Sequence, residues 1–182
     1  MTEQLEHRYD PETLRKVYAD PAAVRAQIEQ LRAEVRSAPD EIAEFRARGD
    51  LVDLLRATGN LDDALAEGRR AVDRAEIAGT TPQQHLGRLR LARVHQWRRE
   101  FVESNIAFTE LLNAAGQFGP VIEAFTRQHA GQNDFDQGHY ADALGHFTRA
   151  LAIRLEFELP EDQTASSQLA LDAARRRLAA ER

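Results

Sequence analysis

The chain has 182 residues, a formal charge of −6, a hydrophobic share of 42% and a charged share of 30%. That balance suits amphipathic helices better than a thick central sheet, and the absence of cysteine excludes a disulfide framework or a cysteine zinc site. No apolar run approaches the ~18 residues needed to span a bilayer, and the opening MTEQLEHRYD lacks the apolar core of a secretion signal. The expectation is a cytoplasmic protein with no membrane partner, and the acidic balance argues against general nucleic-acid binding. Positive charge is carried almost wholly by arginine, Lys16 being the only lysine.

All six prolines stand where a helix can begin, because the N–H that proline lacks would be unpaired in a first turn. Asp10-Pro11 and Asp20-Pro21 each place a capping aspartate before the proline. Thr81-Pro82 and Gly119-Pro120 resemble them, and Pro39 and Pro160 precede acidic first turns that favour the helix dipole. Pro39 to Pro82 is 43 residues, Pro82 to Pro120 is 38, and Pro120 to Pro160 is 40. Each interval holds two helices and a turn, so the chain reads as a repeat.

In the first interval Gly59-Asn60 separates Phe45, Leu51, Val52 and Leu55 from a stripe of Leu61, Ala64, Leu65, Gly68, Ala71 and Val72. The second runs from Leu86, Leu89, Ala92 and Trp97 to Phe101, Ser104, Ile106, Phe108, Leu111 and Leu112. Arg99 stands where a turn glycine is expected, which predicts a blunter turn or one made without positive φ. In the third, Phe135 and Gly138 lead to Tyr140, Ala143, Phe147, Ala150 and Leu151. Small residues Ala64, Ser104 and Ala143 recur at one point and predict close helix approach there.

These positions resemble the tetratricopeptide repeat (TPR) family, with a glycine and a large residue near the turn, then alanine, an aromatic and alanine. Residues 124–157 match best, through Gly131, Phe135, Gly138, Tyr140, Ala143, Phe147 and Ala150. Residues 45–78 match through Gly59, Leu61, Ala64 and Ala71, with Gly68 in place of the aromatic. Residues 85–118 match through Ala92, Phe101 and Phe108, with Arg99 and Ser104 as departures. Offsets longer than the usual repeat resemble the kinesin light chain type. The resemblance implies an all-α, right-handed superhelical stack of antiparallel helical hairpins, a TPR-like α-solenoid.

The expected organisation is an N-terminal helical segment at 1–38, repeats at 39–81, 82–119 and 120–159, and a capping helix at 160–182. Residues 21–37 carry Val24, Ile28, Leu31 and Val35 on one stripe and fit the second helix of a degenerate leading repeat, with 11–18 as a truncated first helix. The final helix sets Leu169, Leu171, Ala174 and Leu178 against a charged remainder. Arg175, Arg176 and Arg177 fall in its last turns, where the dipole alone explains them.

Little points to bond chemistry. His139 and His146 would lie two turns apart, about 10.5 Å, too far to share a metal ion unaided. No HExxH, GxSxG or Walker loop occurs, and the Asp134–Gly138 stretch fails as a calcium loop because Gly145 stands where the closing glutamate belongs. The six histidines read as solvated or capping groups. No enzyme activity, metal or cofactor is expected.

Arg88, Arg90, Arg93, Arg98 and Arg99 cluster around Trp97. The family's geometry would place Arg90, Arg93 and Trp97 on the concave groove with Arg46, Asp50 and Asp53 before them and Gln128, Gln132 and Asp136 after them. Guanidinium groups beside an indole suit a carboxylate or acidic peptide. The alternative is internal pairing with Asp53, Glu100, Glu103 and Asp136 around a packed Trp97. Clamp positions carry Gly49, Asp53, Arg90, Phe125 and His129, which does not support the family's C-terminal carboxylate clamp.

The function expected is a non-enzymatic protein-interaction scaffold or adaptor binding a peptide or protein segment. Two alternatives remain open. One is a homo-oligomer formed through an exposed end stripe; the other is a nucleic-acid-binding regulator using the Arg88–Arg99 cluster, which the net charge disfavours.

Overall fold

The computed structural model describes residues 5–181; the expectations that touch residues 1–4 and Arg182 lie outside them. A short antiparallel hairpin, β1 (His7–Tyr9) and β2 (Lys16–Tyr18), pairs His7 with Tyr18 and Tyr9 with Lys16. Eight helices follow: α1 (Pro21–Arg36), α2 (Glu41–Ala57), α3 (Leu61–Ala78), α4 (Thr81–Trp97), α5 (Phe101–Ala115), α6 (Pro120–Asp136), α7 (Tyr140–Glu156) and α8 (Glu161–Ala180). Consecutive helices pack on one another within each of two compact units. One unit holds the segment up to Tyr9 with Arg15–Arg98; the other holds Asp10–Leu14 with the chain from Arg99 onward. The unit boundary falls inside the turn of the second expected repeat, so α4 belongs to the first unit and α5 to the second.

The prolines behave as expected with one exception. The Asp20 carboxylate accepts hydrogen bonds from the Ala22 and Ala23 N–H groups and opens α1, and Pro120 opens α6. At α4 the Gln83 side chain accepts from the Thr80 N–H, a reciprocal cap ahead of Pro82. Asp10 caps only a single turn, accepting from the Glu12 and Thr13 N–H groups while Leu14 N–H reaches the Asp10 carbonyl. The truncated helix expected at 11–18 is therefore corrected. Lys16, Val17 and Tyr18 form a strand, in keeping with the β-branched and aromatic residues of KVY. The aromatic side of the hairpin sets the His7 ring 5.7 Å from Tyr9 and 5.8 Å from Tyr18.

In the first unit the α1 stripe is covered. Val24, Ile28 and Leu31 are buried with Leu51, Val52, Leu54, Leu55, Ala64 and Val94 in one cluster, with Tyr18 and Val35 packed against it. Burying each such aliphatic side chain contributes about 1.5–3 kcal/mol before chain entropy is set against it. The stripe at 21–37 is therefore buried within this unit rather than an exposed edge. Ion pairs lace α2 to α3, where Glu44 takes Arg48 and Arg74 while Arg48 also meets Glu67.

The second unit is centred on Phe135, Ala143, Phe147, Ala170, Leu171, Ala173 and Ala174, joined by Leu14. Arg177 pairs with Glu12 at 2.7 Å, so α8 also receives the 10–14 turn. Ala64, Ser104 and Ala143 are all fully buried, as expected of small residues at helix contacts. Ser104 adds a hydrogen bond, donating to Asn133 Oδ1 at 2.7 Å, and Asn133 donates to Asn105. Where Gly68 replaces the family aromatic, Leu91 from α4 fills the space.

The turn inside each of the three expected repeats has positive φ, at Gly59 (+80°), Arg99 (+62°) and Gly138 (+82°). At the two glycines the N–H of the following residue reaches back five positions, Asn60 to Leu55 and His139 to Asp134, closing the helix end. The blunter turn expected at Arg99 is corrected: a non-glycine residue takes the left-handed conformation there. Steric conflict at its β-carbon costs roughly 1–2 kcal/mol.

Candidate functional site

The nine groove residues expected from sequence divide between the two units. Arg46, Asp50, Asp53, Arg90, Arg93 and Trp97 lie in the first; Gln128, Gln132 and Asp136 lie in the second. Each set is described by itself.

On α2 of the first unit, Asp53 receives three guanidinium groups. Arg93 Nη1 donates to Oδ1 at 2.9 Å, Arg56 Nη2 to Oδ1 at 3.1 Å, and Arg90 Nε approaches Oδ2 at 3.4 Å. Burial alone would raise the Asp53 carboxyl; Arg93, Arg56 and Arg90 outweigh it and hold it far below the usual carboxylate range. Burial, and then Arg56 beside it, lowers Arg93 below an ordinary guanidinium, yet it stays cationic at neutral pH. Three guanidinium groups thus share the single carboxylate of Asp53. Arg56 Nε and Arg90 Nη1 are buried donors without an acceptor among the described residues. Each such group carries a desolvation cost.

Trp97 closes α4 half-buried, with the Arg15 guanidinium 4.3 Å and the Arg56 guanidinium 4.7 Å from its ring centroid. The ring's negative face accounts for both contacts. Arg90 lies along the backbone of Gly49: a β-carbon there would stand 2.5 Å from its Cζ. Gly49 thus gives the guanidinium its place. Asp50 and Arg46, one turn earlier on α2, face a cleft bounded by the hairpin and α1. Asp50 keeps an exposed edge, but the cleft walls strip enough water to raise its carboxyl, against the attraction of Arg90.

Other arginines of the cluster pair elsewhere, Arg88 with Glu76 at 2.8 Å and Arg98 with Asp62. The internal pairing expected as the alternative is therefore present at Asp53, with partners on α2 and α3 that the sequence reading did not name.

In the second unit Gln128 is buried and accepts from Ser167 at 2.6 Å, while Ser167 accepts from Arg154 at 2.6 Å. Its amide oxygen is engaged by that internal chain. Gln132 Oε1 meets His129 Nδ1 at 2.7 Å, and His129 packs edge-on against Phe125 at 4.4 Å. Asp136 is half-buried at the end of α6. The histidines also need correction, because His85 and His129 are buried rather than solvated or capping. Burial, then Arg88, lowers the His85 imidazole. His146 Nε2 lies 3.6 Å from Asp134 Oδ2. Burial and then Asp142 push the Asp134 carboxyl up to about 6, and burial and then Arg127 lower His146.

No protein-family model matches the chain, and a search of curated proteins finds no match. Solved structures do. A crystal structure of nearly identical TPR-like repeats, from a protein assigned as a kinesin light chain in Podosopora anserina, aligns with a TM-score of 0.57 at 14% identity. The alignment covers 87% of this chain and 79% of that one. The crystal structure of BtubC (BKLC) from P. vanneervenii aligns with a TM-score of 0.54 at 18% identity, over 89% of this chain and 84% of that one.

The fold is that of TPR-like repeats. At these identities the likeness concerns the fold alone. Within the TPR-like frame, Asp53 and Arg90 occupy two positions flagged from sequence, while Arg56 and Arg15 were missed. Arg56 carried a usable signal, standing three residues after Asp53 on the same face of α2. Arg15 carried none, since it belongs to a hairpin that helical periodicity does not describe.

Proposed function

We propose that the chain is a non-enzymatic protein-interaction scaffold that takes an acidic peptide segment on the face formed by α2 and α4. The supporting observation is the convergence of Arg56, Arg90 and Arg93 on the single carboxylate of Asp53. A second carboxylate, supplied by a partner, would meet the partly exposed guanidinium groups of Arg90 and Arg93 beside Asp53. Trp97 would add apolar contact beside the carboxylate. TPR-like arrays commonly expose such helix faces to extended segments, and the mechanism is presentation of side chains rather than bond chemistry. Among the described residues no helix is long and apolar enough to cross a membrane.

The test replaces Arg90, Arg93 and Trp97 together and measures capture of partner proteins, alongside titration of the wild-type chain with a glutamate-rich peptide followed by Trp97 emission. Saturable emission change and loss of capture in the triple variant are expected. Undiminished capture by a folded triple variant would remove the proposal.

A further inference from the structure

The cleft between the hairpin, α1 and α2 has a volume of about 910 Å³ and lies wholly within the first unit. Leu31 and Leu54, both buried, form part of an apolar floor, and Tyr18 stands on the hairpin wall. Three polar side chains line it without a hydrogen-bond partner among the described residues: Gln27, Arg46 and Asp50. Neighbouring charges are already engaged, Glu34 by Gln30 at 2.8 Å and Lys16 against the Tyr9 ring at 5.9 Å.

Arg46 and Asp50 are four residues apart on one helix, yet they form no ion pair. Their order, cation before anion, is the weaker orientation for such a pair. The cleft therefore presents a cation and an anion outside any hydrogen bond or ion pair among the described residues, separated by about 6 Å of helix rise, above an apolar floor and beside a free amide. An extended dipeptide spans at most about 7 Å, carries an ammonium and a carboxylate at its ends, and holds an amide between them.

We propose that this cleft binds short peptides with free ends and apolar side chains, Arg46 receiving the carboxylate, Asp50 the ammonium and Gln27 the amide. Leu31, Leu54 and Tyr18 receive the side chains. A carboxylate and a guanidinium meet through two parallel hydrogen bonds, which fixes direction as well as strength. The volume falls within the range of ordinary ligand sites and leaves room for a further residue. This site does not rest on the acidic-segment reading, which concerns Arg56, Arg90, Arg93 and Trp97.

The experiment titrates the full, 15N-labelled chain with leucyl-leucine, N-acetyl-leucyl-leucine and leucyl-leucinamide, reading amide shifts on α1 and α2. The free dipeptide is expected to shift residues lining the cleft, and blocking either end is expected to weaken binding roughly tenfold, the scale of one charge-assisted hydrogen bond. Arg46→Gln should abolish the discrimination against leucyl-leucinamide, and Asp50→Asn that against N-acetyl-leucyl-leucine. Trp97 emission should stay unchanged, which separates this site from acidic-peptide binding. Equal binding of free and blocked dipeptides, or no shift on α1 and α2 at millimolar concentration, overturns the proposal.

Discussion

The ring of Phe147 lies directly over Gly131, so that a β-carbon added to the glycine would stand 2.7 Å from Cε1 and 2.8 Å from Cδ1. Phe147 is fully buried and cannot swing away. Gly131→Ala gains about 1 kcal/mol of helix propensity but forces overpacking worth about 1–3 kcal/mol. Net destabilisation is expected, read as a lower urea midpoint with an unchanged slope.

Gly49 offers the opposite case. Its added β-carbon meets only the far end of Arg90, a flexible side chain that can leave. Gly49→Ala should hold or slightly raise stability, by up to about 1 kcal/mol, while driving Arg90 away from Asp53. Peptide titration should show several-fold weaker binding of a glutamate-rich peptide. Unaltered affinity would count against Arg90 as a contact.

Asp53→Asn removes the anion that three guanidinium groups share. Its side chain is 32% exposed, so water screens part of the loss, and about 1–3 kcal/mol is expected, below the toll for a fully buried pair. The same change should tighten acidic-peptide binding, since the cluster loses a negative charge. Because the Asp53 carboxyl is held low, its contribution is present above the unfolded carboxylate value and fades as pH falls below it. Denaturation midpoints of the two proteins should therefore converge in strong acid.

Asp134 behaves with the reverse sign. Its folded carboxyl titrates near 6, above an unfolded aspartate near 3.9. The folded state thus holds more protons across that window, and this group's contribution is full below about pH 4 and lost as pH rises through 6. His146, lowered by burial, pulls the other way below its unfolded value. Asp134→Asn should raise stability more at pH 7 than at pH 4.5, measured by thermal melts at both values.

Arg99→Gly should stabilise by about 0.5–1 kcal/mol. It relieves positive φ at a residue bearing a β-carbon, offset in part by the lost contact between Arg99 and Phe101 at 5.7 Å and by the greater freedom of glycine in the unfolded chain. A fall in melting temperature would show that local contacts outweigh the backbone strain.

Helical repeats were legible because each depends on local signals: a capping residue, a proline at a first turn, a 3.6-residue stripe. Gly59 and Gly138 announced their turns; Arg99 did not, because its side chain gives no local signal for positive φ. The N-terminal hairpin escaped because its strands span three residues each, too few for alternation to show. Among site residues, the spacing of Arg90, Arg93 and Trp97 placed them near one another. Their tie to Asp53 depends on how α2 meets α4, and Gln128 faced inward because Ser167, thirty-nine residues later, engages it.

Lys16 has a practical bearing on all of these measurements. It is the only lysine in the sequence and stands on the cleft wall. A bait coupled through Lys16 by amine-reactive resin would present its cleft to the bead instead of the lysate. The absence of cysteine offers the remedy: a single thiol introduced at the exposed Ile77 of α3 gives a unique handle away from the cleft lining. Biotin attached there would leave both the ε-amine and Trp97 untouched.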